Sequence, residues 1–252
     1  TDTFPKGVSK IIELNGHKIT INGISKGAGM IQPNMATMLG FIATDATIHH
    51  DLLQSCLTDA AELSFNRITV DGDTSTNDAC VILASGATQA PEILEDTQEY
   101  TIFYEAILAV CKELSELIIR DGEGATKLIR IEVSEAATIQ EAVQVAKTIA
   151  HSPLVKTAFF ASDPNWGRIL AAVGRAGVVN MHLEAIQIYL DDVCIVREGG
   201  RALDYTEEAG QAVMDQTEIT IRVKLGRGDI TQTVLTCDFS YDYVKINAEY
   251  RT

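Results

Sequence analysis

The sequence alternates short β-strand patterns with amphipathic helical patterns, and this alternation restricts the fold more than any other feature. Residues 17–24 alternate polar and apolar side chains, as a half-buried strand does. Apolar residues recur at helical spacing over residues 51–66, 101–120 and 138–150. The chain shows neither an internal repeat nor a linker rich in proline, glycine or serine. The sequence therefore predicts an α/β protein with mixed or antiparallel sheets covered by helices.

The second half of the chain is richer in β-type segments than the first half. Residues 226–229 separate two such segments and are predicted to form the hairpin turn that joins them. In the helix at 138–150, Ile139, Ala142, Val143, Ala146 and Ile149 are predicted to face the core. Strands are predicted at residues 38–43, 67–70, 127–133, 185–190, 193–197, 218–225 and 231–239.

Composition and charge exclude several classes of function. The 252 residues are 46% apolar and 22% charged, which is typical of a soluble protein with a sizeable core. A net charge of −15 would repel phosphate backbones and anionic lipid headgroups, so neither nucleic acid nor a membrane is an expected partner. No apolar run approaches the length that spans a bilayer, and no hydrophobic leader opens the sequence. We expect a cytoplasmic protein.

Residues that commonly bind metals or form disulfides are spaced too irregularly to predict either feature. The five cysteines lie far apart without a Cys-x-x-Cys pair, so we expect reduced thiols. The five histidines are scattered, and residues 71–78 lack the glycine and the final acid that a calcium loop requires. The alternative to a calcium loop is that residues 71–78 form a turn whose polar side chains cap the next segment. We predict no metal site.

A threonine behind a small residue ends a glycine-rich segment, and this arrangement permits one specific chemistry. Gly27, Gly29 and Pro33 favour a turn, and Ala36 places little bulk before Thr37. A threonine hydroxyl needs a base, and the residue's own amine becomes one if the preceding peptide bond is cut. From residue types alone, the alternative is that residues 26–36 form a loop and Thr37 merely begins a strand.

The same run resembles the self-cleavage segment of the ornithine acetyltransferase family, the bifunctional glutamate N-acetyltransferases of arginine biosynthesis. The resemblance spans the whole chain, because residues 1–6, 71–78, 162–168 and 247–252 are also similar to family segments in order and spacing. Ala28 stands where serine is more common in the family. The resemblance implies an N-terminal-nucleophile type of acyltransferase, and it favours Thr37 over the loop interpretation and over Thr1 as the nucleophile.

The family pattern also implies how the chain is divided and which residues bind substrate. Self-cleavage between Ala36 and Thr37 would make residues 1–36 the end of an α chain and residues 37–252 a β chain. The substrate-binding residues implied by the resemblance are Lys26, Thr37, Glu123, Asn247 and Thr252. Each residue also has an interpretation without a binding role. Lys26 would be a solvated lysine, Glu123 an exposed loop acid, and Asn247 and Thr252 part of a frayed C-terminus.

The activity that the resemblance implies is acetyl transfer from N2-acetylornithine to glutamate through an acetyl-threonine at Thr37. No cofactor is expected, although acetyl-CoA is a possible second acetyl donor. Since the sequence begins with threonine, we expect an upstream α-chain portion that carries the oxyanion-stabilising residues, and an α2β2 assembly. The alternatives are a self-processing amidase or aminopeptidase and, from another class, a non-catalytic acidic binding module.

Overall fold

The computed structural model describes residues 1–32, 38–74 and 77–250. This part of the chain forms two compact units, and each unit contains one mixed sheet with helices. The predicted α/β class, with mixed sheets covered by helices, is therefore confirmed. Unit 1 comprises Thr1–Ile68 and Asp73–Asp121, and unit 2 comprises Thr69–Gly72 and Gly122–Thr252.

Unit 1 is built on a four-stranded sheet in which β1, β2, β3 and β4 are neighbours in that order. The first three strands pair antiparallel, and β3 pairs with β4 in parallel. A parallel pair needs a crossover connection, and α1 lies in it. The bounds of these elements are β1 Lys6–Leu14, β2 His17–Lys26, β3 Leu39–Thr44, α1 His50–Glu62, β4 Ala79–Ala84 and α2 Gln98–Arg120.

One face of this sheet packs closely against α2. The hydroxyl of Thr97 caps the helix by accepting the N–H of Tyr100 at 3.2 Å, and the helix begins three residues before its predicted start. A Cβ atom added to Gly23 of β2 would lie 2.8 Å from side-chain atoms of both Val110 and Leu114. Glycine at this position therefore allows the helix to approach the sheet.

The other face of the unit 1 sheet carries a row of exposed apolar side chains. Ile24, Phe41 and Val81 are direct partners across β2, β3 and β4, and 60%, 48% and 39% of their surfaces are exposed. Ile11 on β1 and Leu83 on β4 are also exposed. We call this surface the open face. Each strand alternates buried and exposed residues, because successive side chains point to opposite sides of a sheet.

Unit 2 is built on a six-stranded sheet with the order β10-β5-β9-β6-β7-β8. All neighbours pair antiparallel except β5 and β9, which pair in parallel. The bounds of its strands are β5 Leu128–Ala136, β6 Gln187–Leu190, β7 Val193–Arg197, β8 Gly200–Arg201, β9 Glu218–Lys224 and β10 Ile230–Cys237. The bounds of its helices are α3 Ile139–Ala150, α4 Pro153–Phe160, α5 Trp166–Gly174, α6 Glu207–Met214 and α7 Tyr241–Glu249.

The buried stripe of α3 differs from the predicted one. Ala142, Ala146 and Ile149 are buried as expected, together with Val145 and Ala150, whereas Ile139 is exposed and Val143 is half-buried. The prediction was wrong at Ile139 and Val143 because α3 packs on α5 as well as on β5 and β10. The buried surface of α3 therefore includes Val145 and Ala150, and it leaves Ile139 at the start of the helix exposed.

The predicted hairpin at residues 226–229 is wrong. These residues connect β9 to β10, but β5 lies between those two strands. The connection passes over the end of β5, where Arg227 and Gly228 donate their backbone N–H groups to the carbonyl oxygen of Glu135 at 2.7 and 3.0 Å. A Cβ atom on Gly228 would lie 2.5 Å from the carbonyl oxygen of Ala136, so glycine is needed for this close passage.

The predicted strand at residues 67–70 is also wrong. The helix predicted over 51–66 ends at Glu62, and Phe65–Arg67 form a 3-10 turn. Ile68 and Val70 are buried, as strand residues would be, which explains why residue type favoured a strand. The chain leaves unit 1 at this point. No helix in the described part of the chain is long and apolar enough to cross a membrane.

Candidate functional site

Lys26 lies at the last position of β2 and is exposed. Its β3 partner is Leu39, the first residue of that strand, so Lys26 lies where β3 begins. The next residue, Gly27, has a φ of +145°, and its N–H donates to a carboxylate oxygen of Asp2 at 2.8 Å. Burial raises the pKa of Asp2, but the Gly27 hydrogen bond and the positive charges of Lys6 and Lys26 hold it below its usual range.

A buried ion-pair network holds Asp2 in place. The side chain of Lys6 is fully buried, and its Nζ lies 2.5 Å from the carboxylates of both Asp2 and Asp121. The backbone N–H of Thr3 donates to Asp121 at 2.9 Å. Because a buried charge is costly without partners, this network fixes the first residues of unit 1 beside the segment that follows Lys26.

A second carboxylate, Asp78, lies close to the same strand end. It immediately precedes β4 and accepts the backbone N–H of Met38 through Oδ1. Burial raises the pKa of Asp78, and the Met38 hydrogen bond and the charge of Lys26 offset only part of that rise. Lys26 therefore interacts electrostatically with two carboxylates, Asp2 and Asp78, from the same unit.

In unit 2, Glu123 lies in the buried turn that leads into β5. The next residue, Gly124, has a φ of +66° and accepts a hydrogen bond from the hydroxyl of Ser240 at 2.6 Å. The backbone N–H groups of Thr126 and Lys127 both donate to Asp238 Oδ1 at 2.8 Å. The turn is thus held by the segment that opens α7.

Helix α7 places the second predicted residue of unit 2 against the first. The Ser240 hydroxyl caps α7 by accepting the N–H of Tyr243. Two turns later, Asn247 Nδ2 donates to Glu123 Oε2 at 2.9 Å and to the carbonyl oxygen of Tyr243 at 3.0 Å. A carboxylate accepts several hydrogen bonds, so Glu123 keeps capacity for an ammonium group of a ligand.

The structure therefore brings Glu123 and Asn247 together, while Lys26 belongs to the other unit. The remaining predicted residues, Ala36, Thr37 and Thr252, lie outside the described residues. Within the described ranges, no group of three His, Cys, Asp or Glu side chains is arranged to hold a metal ion.

Sequence reasoning missed Asp2 and Asp78. Asp78 ends the segment 71–78 that the family resemblance singled out, but that segment was given no more than a turn-forming role. The electrostatic effect of Lys26 on both aspartates depends on the fold, so no local sequence signal identified them.

The chain is thus a mixed α/β protein with Lys26 at a strand end of unit 1 and the hydrogen-bonded pair Glu123 and Asn247 in unit 2. The family model of the ArgJ family matches residues 1–252. The Arginine biosynthesis bifunctional protein ArgJ of Methylococcus capsulatus is 60% identical over 252 residues, and that of Pseudomonas fluorescens is 56% identical over 253. Each alignment covers 100% of this chain and 62% of the relative. The chain belongs to the ArgJ family.

A solved structure supports the same assignment. The crystal structure of Arginine biosynthesis bifunctional protein argJ from Bacillus halodurans is 43% identical and superposes with a TM-score of 0.81. The match covers 85% of this chain and 100% of the solved chain. The chain spans 62% of the length of the curated relatives it matches.

Proposed function

We propose that this chain is the larger part of an acyltransferase that moves an acetyl group from N2-acetylornithine to glutamate in arginine biosynthesis. The observation that carries the proposal is the family match over all 252 residues. It is supported by relatives at 56% to 60% identity whose names state a bifunctional role in arginine biosynthesis.

In the proposed first step, the precursor cuts itself. The Thr37 hydroxyl attacks the carbonyl carbon of Ala36, and the acyl group moves from the Thr37 nitrogen to the Thr37 oxygen, which frees the amine. Water then hydrolyses this ester, which leaves a carboxylate on Ala36 and restores the Thr37 hydroxyl.

In the proposed catalytic cycle, the free amine of Thr37 is the base for its own hydroxyl. An α-amino group titrates near pKa 8, so a useful fraction is neutral at physiological pH. Thr37 takes the acetyl group from N2-acetylornithine, and ornithine leaves. Glutamate then attacks the acetyl-threonine with its amino group and leaves as N-acetylglutamate, which regenerates the hydroxyl.

The two substrates share an α-carboxylate, and we propose that Lys26 binds it as an exposed cation. Glu123, held by Asn247, would accept the ammonium group of a substrate. Thr252 is proposed as a further substrate contact. Acetyl-CoA remains a possible second donor, and no bound cofactor is required by this chemistry.

The proposal extends to the assembly and its location. Since the relatives are longer than this chain, we propose that an upstream α-chain portion supplies the oxyanion donors and that the enzyme is an α2β2 heterotetramer in the cytoplasm. Removal of one oxyanion donor typically lowers the rate by a hundredfold or more, so residues 1–252 expressed alone should transfer almost no acetyl groups.

Intact-mass analysis of the full-length precursor tests the proposal. We expect two fragments that separate between Ala36 and Thr37, and an added acetyl group on the Thr37 fragment after incubation with N2-acetylornithine. Thr37→Ala should give one uncut chain without the adduct. An uncut wild-type chain that still transfers acetyl groups would contradict the mechanism.

The choice of acceptor separates the proposal from its alternatives. A transferase consumes more than one equivalent of N2-acetylornithine only when glutamate is present, whereas an amidase or aminopeptidase keeps releasing acetate without it. A non-catalytic binding module would consume no substrate under either condition and would be unaffected by Thr37→Ala.

A further inference from the structure

We infer that Asp78 is a positioning residue for the proposed reaction, because it holds the backbone of Met38, the residue that follows the proposed nucleophile. The inference rests on the proposed function. Asp78 Oδ1 accepts the Met38 N–H, and the N–H of Ala79 donates to the Met38 carbonyl oxygen at 3.1 Å. Both backbone polar groups of Met38 are thus held by the residues at the start of β4.

Covalent geometry connects the two hydrogen bonds of Met38 to Thr37, the residue before it. The nitrogen of Met38 is bonded to the carbonyl carbon of Thr37, and the peptide unit is planar. The hydrogen bonds of Met38 therefore act one covalent bond away from the residue that carries the proposed nucleophile. A displacement of about 1 Å at a reacting group can lower a rate by about a hundredfold.

The second oxygen of Asp78 indicates that the residue does not serve stability alone. Oδ2 is buried and has no hydrogen-bond partner in the described part of the chain. Burial also raises the pKa of Asp78, so its charged form is unfavourable in the folded protein. A carboxylate kept at an energetic cost is typical of functional sites, because a neutral residue would otherwise be more favourable there.

Asp78 lines a pocket of about 400 Å³ in unit 1. Apolar side chains (Met38, Leu57 and Phe65) and polar side chains (Gln54, Thr58 and Asn66) line the same pocket, but no described side chain donates a hydrogen bond to Asp78 Oδ2. Among the described residues, the thiol of Cys80 lines the same pocket, and burial raises its pKa to about 11. The charge of Lys26 acts on Asp78 electrostatically and favours its ionised form.

Two substitutions in the full-length precursor test this inference. Asp78→Ala removes the acceptor for the Met38 N–H, and we expect self-cleavage and kcat to fall by about a hundredfold. Asp78→Asn keeps an amide oxygen as a weaker, uncharged acceptor, and we expect a loss of about tenfold with KM for glutamate within twofold. Asp59→Asn removes the same charge from an exposed position on α1 and is the matched control, with unchanged rates.

Stability and pH dependence distinguish positioning from a structural role. Because Asp78→Asn removes an unfavourable buried charge, its Tm should equal or exceed that of the wild type while its rate falls. Acid should slow wild-type cleavage as Asp78 becomes protonated, and this part of the pH profile should be absent in Asp78→Asn. A wild-type rate in Asp78→Asn, or losses of rate and Tm in parallel, would overturn this inference alone. A wild-type precursor that stays uncut would overturn the proposed function itself.

Discussion

The two sheets of this chain differ in what covers their second face. In unit 1, the open face leaves Ile24, Phe41 and Val81 exposed in one row across three strands. In unit 2, both faces are at least partly covered, and the exposed large apolar side chains of its described residues lie outside the strands. Unit 2 has thus buried the apolar surface of its sheet, whereas unit 1 has left part of it accessible.

Unit 1 therefore combines a face that packs into the core with a face whose side chains are accessible. Lys26 lies two residues after Ile24 on β2, so it projects from the open face. Asp2 and Asp78 interact with Lys26 from the same unit. In unit 2, by contrast, the predicted substrate residues Glu123 and Asn247 lie in a turn and in the last helix, away from the strands.

The largest expected loss of stability tests the contrast between the buried core of unit 2 and the open face of unit 1. Phe159 is fully buried in the core of unit 2, and Phe159→Ala should lower the free energy of unfolding by about 3–5 kcal/mol. The matched change Phe41→Ala on the open face should cost less than about 1 kcal/mol. Urea unfolding followed by circular dichroism measures both. Equal losses would show that the open face is buried in the working protein.

A buried cation should make the next largest contribution, again in unit 2. Lys156 is fully buried, and its Nζ donates to Thr236 Oγ1 at 2.8 Å and to the carbonyl oxygen of Cys237, and lies 4.5 Å from the ring centre of Phe239. Lys156→Ala leaves these groups unpaired and should cost about 3 kcal/mol. Lys245→Ala, at an exposed position of α7, is the control and should change little in the same urea titration.

The pH dependence of this contribution has a definite sign. Burial lowers the pKa of Lys156, so the folded protein releases its proton at a lower pH than the unfolded chain, which titrates near 10.4. Between those two values the unfolded chain binds more protons, and stability from this group rises with pH. The advantage of the wild type over Lys156→Met should therefore grow across this range. A constant difference would show that the pKa is not lowered.

A smaller effect is expected where the chain passes over β5. Gly228→Ala forces a Cβ atom against the carbonyl oxygen of Ala136 and should cost about 1–3 kcal/mol. Gly200→Ala in the same unit meets open space and should stay within about 0.5 kcal/mol of the wild type. Thermal unfolding compares the pair, and equal Tm values would argue against the close passage.

The smallest effect concerns alkaline stability in unit 1. Burial raises the pKa of Cys80 to about 11, above the unfolded value near 8.5. Its contribution is therefore complete below about pH 8.5 and is lost as the pH rises toward 11. Cys80→Ala should reduce the loss of stability between pH 9 and 10 by about 1 kcal/mol. Parallel pH profiles for the two proteins would contradict this assignment.

Local sequence patterns predicted those elements that depend on local interactions. Strand β2 and helix α2 were found because alternation and helical spacing extend over many residues. The connection at 226–229 was misjudged because a glycine-rich turn looks the same whether the flanking strands pair with each other or with a third strand. The insertion of β5 between β9 and β10 depends on contacts about 90 to 110 residues apart, which no local pattern records.

The candidate site was predictable only where family resemblance supplied residues. Lys26, Glu123 and Asn247 are each unremarkable by type, and the hydrogen bond between the last two depends on α7 docking against the turn that leads into β5. Asp78 was missed because a buried oxygen without a partner is a property of the folded chain. The roles of all the site residues stay predictions: Lys26, Ala36, Thr37, Glu123, Asn247 and Thr252.

The position of β5 also determines when unit 2 can form during synthesis. Its two neighbours, residues 218–224 and 230–237, are translated long after β5 itself. The ribosome therefore releases β5 about 80 residues before either neighbour exists, and the nascent segment must remain without its sheet partners for that interval. Strands β1 and β2 of unit 1 complete their pairing within residues 6–26. Unit 1 can begin to fold on the ribosome, while the sheet of unit 2 must wait for almost the entire chain.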